Sequence, residues 1–514
     1  MAPPALSLVP LDDRPCNHLF PAQLAEIAGW QVHMPPRETL GWFTRPGECE
    51  RVAAWLLECP TQRIAVSLDM LCYGGLVASR VPDVSIAEAR RRLDALRRLR
   101  ASRPEAVVFA FSTIMRLGKT VALASDLEAQ QLLRAYSELV DRVERLGEDS
   151  ARGELDSVVA RLDPALLDGY LAVRRRNHAI NQAAVQLVAE DVVDYLVVAQ
   201  EDAAPVGIHV PEQLALRGHV EEFRLGERVR IHSGADEVGL VLVARHVGQA
   251  SGRVPAIATD YAVESGADVV PRFESQPLRE TVEGQIAAAG ARPAVPGDAD
   301  AIMFVHTPAM QQRDITEAPP VGQAPGLALQ AESVVERVRA AAAADCTVGI
   351  ADTAYCNGAD PELIAALERT GAARGLTAFA GWNTAANSSG TVIAHLCLAS
   401  CGRQDGTAAP QQGSAEFRAS RFIDDYGYQS RVRQQAIARA QQLGADPHAL
   451  GDEASALAEF VQGELEPLTH WTYSDLLAAE DAPSLGEVRF SLPWHRLFEV
   501  EVNLGAIGPP KNRP

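Results

Sequence analysis

The sequence predicts an α/β protein: two doubly wound parallel-sheet domains facing across a cleft, with a helical insertion in the first and a C-terminal extension. Three observations support this. Short apolar, β-branched runs alternate with stretches of helical spacing, the pattern of βαβ units. At 514 residues the chain is too long for one ordinary core. Many of the apolar runs stop in Asp, Glu, Ser, His or Asn, the polar strand ends on which parallel sheets build sites. The alternative is a single elaborated β/α barrel over the same strands, because strand order cannot be read from a sequence.

In chain order, Ala5 to Val9 is a strand stopped by Pro10, and Leu11 to Asn17 is the loop beyond it. Pro21 to Ala28 and Gly47 to Cys59 read as helices around a strand at Gln31 to Met34. Arg63 to Leu68 is a third strand, ending at Asp69. Met70 to Arg80, with Gly74-Gly75, reads as a loop before a helix from Ser85. Ala106 to Phe111 is the fourth strand. Residues 119–191 form a helical insertion, broken near Gly147 to Gly153 and at Asp163-Pro164, that serves as a cap or as an oligomer contact. Leu196 to Ala199 is a buried strand ending in Gln200-Glu201-Asp202, where Pro205 and Gly207 delay the next helix. Val229 to Ile231 follows and ends in His232-Ser233-Gly234-Ala235-Asp236-Glu237.

The first domain therefore covers 1–250 and the second 251–404. Strands of the second are Val254 to Ala258, Ala301 to Val305, Cys346 to Ala351 and Leu376 to Ala380. They are separated by helices at Pro277 to Gly290, Glu332 to Ala344 and Pro361 to Gly371. Gln311 to Ala331, rich in Pro, Gly and Gln, reads as a loop or lid. The Gly- and Gln-rich Cys401 to Ser414 marks the last boundary. Residues 415–514 are a mostly helical extension ending in short strands, Glu487 to Leu492 and Leu497 to Val502, and in a fraying GPPKNRP.

Composition narrows the function classes. A net charge of -20 repels nucleic acid and anionic membrane surfaces, so neither is an expected partner. No apolar run is long enough to span a bilayer, and the start MAPPALSLVPLDDRP lacks the profile of a secretory leader. The eight cysteines show no zinc-like spacing. A cytoplasmic protein with reduced thiols is expected.

The expected site is at the carboxyl ends of the strands. Glu201 and Asp202 are the central candidates, with Asp236 or Glu237 as partner, because two carboxyls in a water-poor cleft split their pKa values into an acid and a base. Glycosidic cleavage uses that pair, so a hydrolase acting on a glycoside or amino sugar is the leading reading. Asp12, Asp13, Arg14, Asp69, Tyr73, Arg80, His209, Asp352, Asn357, Trp382, Asn383 and Asn387 are candidates for binding a small polar substrate, expected to be a carbohydrate, through amides, charges and aromatic faces. Arg14, Arg80 and Arg116 follow strand ends and could clamp a carboxylate or phosphate, or merely neutralise the acidic cleft. For each Asp, Ser or Asn, capping of the next helix is the competing reading. No cofactor is expected. The alternatives are a divalent-cation enzyme using the same carboxylates with His209, His232 or His306, and a non-catalytic small-molecule binding protein. No GxGxxG or P-loop is present.

The motifs LVPLDDRPCN, PPRETLG, SLDMLCYGGLVASR, VVAQEDAAPVGIH, GADEVG, ADTAYCNGAD and AGWNTAANSSGT occur in this order, from about Leu8 to His395, with RFIDDYGYQ at 421 to 429. Together they resemble a bacterial family catalogued as a domain of unknown function, number four-one-two-seven. That resemblance implies no reaction, so the functional expectation rests on the residues.

Overall fold

The computed structural model describes residues 3–402, 408–477 and 488–504. The boundary segment at 403–407 and the GPPKNRP end lie outside the described residues. The chain forms two compact units. Unit 1 comprises Met1–Ala22, Trp30–His246 and Phe273–Gln276; unit 2 comprises Gln23–Gly29, Val247–Arg272 and the chain from Pro277 onward.

Unit 1 is built on six parallel strands: β1 (Ala5–Val9), β2 (Gln31–His33), β3 (Arg63–Ser67), β4 (Val107–Ile114), β5 (Tyr195–Gln200) and β6 (Val229–Ser233). Their order is β2-β1-β3-β4-β5-β6. The sheet is open, so the barrel alternative is not what the strands form. The order reverses at β1, which pairs with β2 on one side and β3 on the other. Such a switch point leaves a crevice beyond the strand ends, because the connections from the two neighbours leave to opposite faces.

Period-two alternation divides the buried strand residues between two faces. Ile64, Val66, Val108, Ala110, Leu196 and Val198 share one core with Leu93, Leu96 and Leu99 and with Ile180, Ala184, Leu187 and Val188 of the long helix Pro164–Ala189. On the other face, Phe109 stacks on His246 with centroids 3.9 Å apart. A Cβ on Gly239 would lie 3.6 Å from Phe111 and 3.8 Å from Leu8. The helix Val238–Ala250 therefore starts over β4 and β1, although it follows β6. Residues 119–191 contain the helices Leu127–Glu144, Arg152–Arg161 and Pro164–Ala189, broken where the sequence predicts. Asp163 caps the last of these by accepting from the Ala165 and Leu166 amides, with Pro164 in the first turn.

Unit 2 has strands β7 (Ala256–Tyr261), β8 (Arg292–Ala294) and β9 (Ala301–His306), a short β10 (Arg313–Asp314), then β11 (Thr347–Asp352), β12 (Tyr355–Cys356) and β13 (Ala378–Ala380). The main sheet is parallel in the order β13-β11-β9-β7-β8, and β10 pairs with β12. Ile302, Phe304, Val348 and Ile350 pack with Val334, Val338, Leu363 and Leu367 of two helices. On the opposite face the buried helix Ala385–Gly402 comes so close that a Cβ on Gly349 would meet Val392 Cγ1 at 2.9 Å. The tail packs Ile423, Tyr428 and Val432 against Leu457, Val461 and Leu465, and ends in the antiparallel pair β14 (Arg489–Ser491) and β15 (Glu501–Asn503). No described helix is long and apolar enough to cross a membrane.

Several local expectations are corrected. Leu68–Tyr73 is a helix rather than loop: Ser67 caps it by accepting from the Met70 amide, and Gly74 ends it at φ 88°. Its side chains are all buried, and local capping outweighed the Gly-Gly signal. The helix predicted from Glu332 begins at Pro325, inside the expected lid, because Pro is favoured in a first helical turn. The strand predicted at Leu497 to Val502 shortens to Glu501–Asn503 after a turn in which Trp494 has φ 57°. Phe422–Val432 adopts π-helical geometry, for which periodicity carries no signal.

Leu196 is fully buried in the first half of β5. Leu196→Ala is expected to destabilise unit 1 by about 2–5 kcal/mol, as truncations that leave a core cavity do. Urea denaturation followed by hydrogen exchange of the β4 and β5 amides would measure it.

Candidate functional site

The carboxyl ends of β1, β3, β4, β5 and β6 converge on a network of alternating carboxylates and guanidiniums. At the end of β1, Arg14 turns back on Asp12, with Nη2 2.7 Å from Oδ2 and Nε 3.1 Å from Oδ1. The same guanidinium donates to both oxygens of Asp236, at 2.5 and 3.3 Å. Asn17, one helical turn on, donates to Asp12 Oδ1 at 2.9 Å and to Asp236 Oδ1 at 3.4 Å. Asp236 reaches Arg14 because the helix after β6 begins over β1. Asp12, Arg14, Asn17 and Asp236 are all buried, so Asp236 is a clamped residue with its charge committed to Arg14.

Glu237 is turned into its own loop, its Oε2 accepting from the Ala235 amide at 3.1 Å. Gly234, at φ 133°, leaves the room for this, since a Cβ there would lie 1.9 Å from Glu237 Oε1. The backbone carbonyl of Asp13 accepts from Arg37 at 3.1 Å.

Glu201 ends β5. Its Oε1 is held by Arg80 Nη2, whose Nη1 donates to Thr120 Oγ1 at 2.6 Å. Its other oxygen, Oε2, is buried and has no hydrogen-bond partner among the described residues. Burial pushes the Glu201 carboxyl above the usual range, against the pull of the Arg80 and Arg116 cations. Asp202 lies in a more open position, its side chain 21% exposed, and pairs with Arg116 at 2.5 Å. The delay of the next helix to His209 leaves both acids in the loop, as Pro205 and Gly207 predict.

The loop carrying Arg116 is buttressed by the insertion. Arg174 of the helix Pro164–Ala189 donates to the Met115 and Arg116 carbonyls at 3.0 and 2.9 Å. Asn181 bridges Ser112 and Thr113 at 2.7 and 3.1 Å. Asp69 accepts from the Thr113 amide and hydroxyl at 2.9 and 2.8 Å. Burial raises its pKa to about 7 despite those bonds. Asp69 thus ties β3 to β4 beneath the network.

The expected substrate contacts divide accordingly. In unit 1, Tyr73 is buried with the Arg176 guanidinium 4.4 Å from its ring centroid, so its faces are not open to a sugar. His209 is fully buried, and burial pushes its pKa down to about 3. It starts a helix and is enclosed rather than open to a ligand.

In unit 2, Asp352 is fully enclosed, accepting from the Ala354 and Asp360 amides at 3.2 and 2.6 Å. Asn387 accepts from Thr384 Oγ1 at 3.0 Å, a helix-start role that matches the capping reading. Trp382 donates from Nε1 to Thr391 at 3.2 Å. Asn357 and Asn383 both adopt positive φ, 62° and 49°, and the Asn357 amide donates to the Asn383 carbonyl at 2.8 Å. These two keep partly exposed positions.

Among the described residues no group of three or more His, Cys, Asp or Glu is arranged to hold a metal ion. His232 turns Nδ1 to the Ser233 carbonyl at 2.8 Å, and His306 pairs with Asp360 at 2.8 Å. Sequence reasoning missed Asn17, Thr113 and Asn181, uncharged residues whose role depends on tertiary neighbours. It also missed Asp425 of RFIDDYGYQ as a neighbour of Asp352.

Residues 6–503 match a family described as protein of unknown function (DUF4127). No curated protein and no solved structure matches the chain.

Arg14→Ala is expected to destabilise unit 1 by about 3–5 kcal/mol, because it leaves two buried carboxylates uncompensated. Chemical denaturation would measure this, and Asp12→Asn introduced into Arg14→Ala should recover part of the loss.

Proposed function

Because the chain belongs to this family, whose description assigns no reaction, we propose from the geometry of unit 1 that it is a hydrolase working by general acid–base catalysis. The proposed substrate class is a glycoside or amino sugar. One observation carries the reading: Glu201 is a buried carboxyl with one oxygen on Arg80 and the other unengaged, and its pKa is raised. A carboxyl in that condition keeps its proton to higher pH than an ordinary glutamic acid and can pass it to a leaving-group oxygen.

Asp202 is the proposed second carboxyl. It is next in the chain, more exposed and paired with Arg116, which suits a group that activates water or attacks the substrate directly. Asp236, held by Arg14 and Asn17, is assigned a positioning role, and Glu237 shapes the loop. Arg80 serves both states of Glu201: its hydrogen bond fixes the carboxyl rotamer, and its charge stabilises the carboxylate left after proton transfer.

A panel of chromogenic aryl glycosides and aryl amino-sugar glycosides tests the reading. Glu201→Gln is expected to lower kcat by about a hundredfold to ten-thousandfold, the usual worth of a positioned acid. The loss should be largest for poor leaving groups, and the alkaline limb of the pH–rate profile should disappear, since the wild-type acid stops working as pH rises through its raised pKa. Asp202→Asn should be as inactive with every leaving group. Full activity in both variants would sink the site assignment, and failure of the wild type on the whole panel would sink the substrate class.

A further inference from the structure

Unit 2 buries a second cluster of titratable groups at the ends of its strands, independent of the reaction proposed for unit 1. At the end of β9, His306 pairs through Nε2 with Asp360 Oδ2 at 2.8 Å. The Asp360 amide donates to Asp352, the last residue of β11, at 2.6 Å. Just beyond β13 the Gly381 amide donates to Asp425 Oδ2 at 2.8 Å. The Cβ of Asp352 lies 3.1 Å from the position a Gly381 Cβ would take, so Gly381 is flanked by both carboxyls. Arg421 pairs with Asp425 at 3.1 Å and with Asp424 at 3.0 Å.

Among the described residues of this chain of contacts, the cationic partners of Asp352, Asp360, Asp424 and Asp425 are His306 and Arg421, and all six are buried. From the tail, Glu499 also acts on Asp424, but it carries its own partner, Arg496, at 2.6 Å. Tyr428 also faces Asp424 and is buried with its hydroxyl donating to the Leu497 carbonyl at 3.1 Å, and the buried Tyr355 faces Asp352 and Asp360. The acids outnumber the bases, and burying unmatched carboxylates is expensive unless some of them keep their protons.

The same residues dock the π-helix Phe422–Val432 on the sheet edge. The backbone carbonyl of Asp425 accepts from the Ala359 amide at 2.9 Å, and Ser430 Oγ donates to the Ala359 carbonyl at 2.8 Å. Asp425 therefore joins the charge cluster to the docking contact. Extended π-helical geometry is rare and marginal by itself, so its persistence depends on such anchors.

We propose that Phe422–Val432 is a proton-controlled latch, held on the β11–β13 edge while Asp425 and Asp352 retain protons and loosened when both ionise. Burial, then Asp424 and Asp352, raise Asp425 to about 8 against the pull of Arg421. Burial raises Asp352 to about 6 against His306. For acids whose folded pKa is raised, the stabilisation is fully present below the unfolded value, near pH 4, and is lost as pH rises through the folded values. The latch should therefore weaken from about pH 4 up to about pH 8.

Hydrogen exchange of the full-length chain, corrected for intrinsic rates, reads this directly. Between about pH 5 and about pH 9, protection of the Ala359, Gly381 and 422–432 amides should fall by about tenfold or more. In Asp425→Asn, neutral at every pH, the fall should shrink by about threefold or more, and Asp352→Asn should give a smaller reduction. Wild-type protection that stays flat over this range would overturn the proposal whether or not the variants fold. So would an undiminished fall in a folded Asp425→Asn. Restoration of protection at the alkaline end by added calcium would overturn it in favour of a bound cation.

Discussion

The Arg14 guanidinium, shared by Asp12 and Asp236, is the constraint from which the arrangement of unit 1 follows. It joins the loop after the first strand to the loop after the last, across a sheet in which β1 and β6 are separated by three other strands. Packing makes the meeting feasible: the helix after β6 starts over β1 and β4, so its preceding loop has already crossed the sheet. The clamp engages Asp236 in the loop after β6 and removes it from the set of available acids. A buried pair of this kind contributes little net stability, but breaking it leaves charge stranded. It specifies one loop geometry.

With Asp236 and Asp12 committed, the remaining acids of the network differ in surroundings rather than in type. Glu201 is deep, half-engaged and prone to keep its proton; Asp202 is nearer solvent and carries Arg116; Asp69 has both oxygens on Thr113. Separation of roles among like groups by environment is how carboxyl sites obtain an acid and a second functional carboxyl at one pH. The insertion contributes by fixing the Arg116 loop through Arg174 and Asn181, so the helices of 119–191 belong to the support of the site.

Unit 2 resolves crowding of acids in another way. Unit 1 matches carboxylates with guanidiniums, whereas the β11–β13 edge has Arg421 and His306 against four acids and relies on protons. In the first, the cations keep their charge near neutrality, because guanidiniums do not titrate there. The second carries a built-in dependence on pH, and it is located where the helical tail docks.

The alternation of apolar runs and amphipathic stretches determined the main strands and helices, the breaks in the insertion and the loop position of Glu201-Asp202, because periodicity, Pro, Gly and caps act over a few residues. Pro205 and Gly207 sufficed to place both acids beyond the strand and before the helix at His209. Tertiary structure alone decided strand order, and with it whether the strands closed into a barrel. It alone paired Arg14 with Asp236, 222 positions away, and enclosed Tyr73, His209 and Asp352, which as isolated letters looked fit to bind. It also produced the π-helix at RFIDDYGYQ and buried its two aspartates beside Gly381, Arg421 and Asp352. Burial and partner choice are sums over distant neighbours, and the local sequence contains neither.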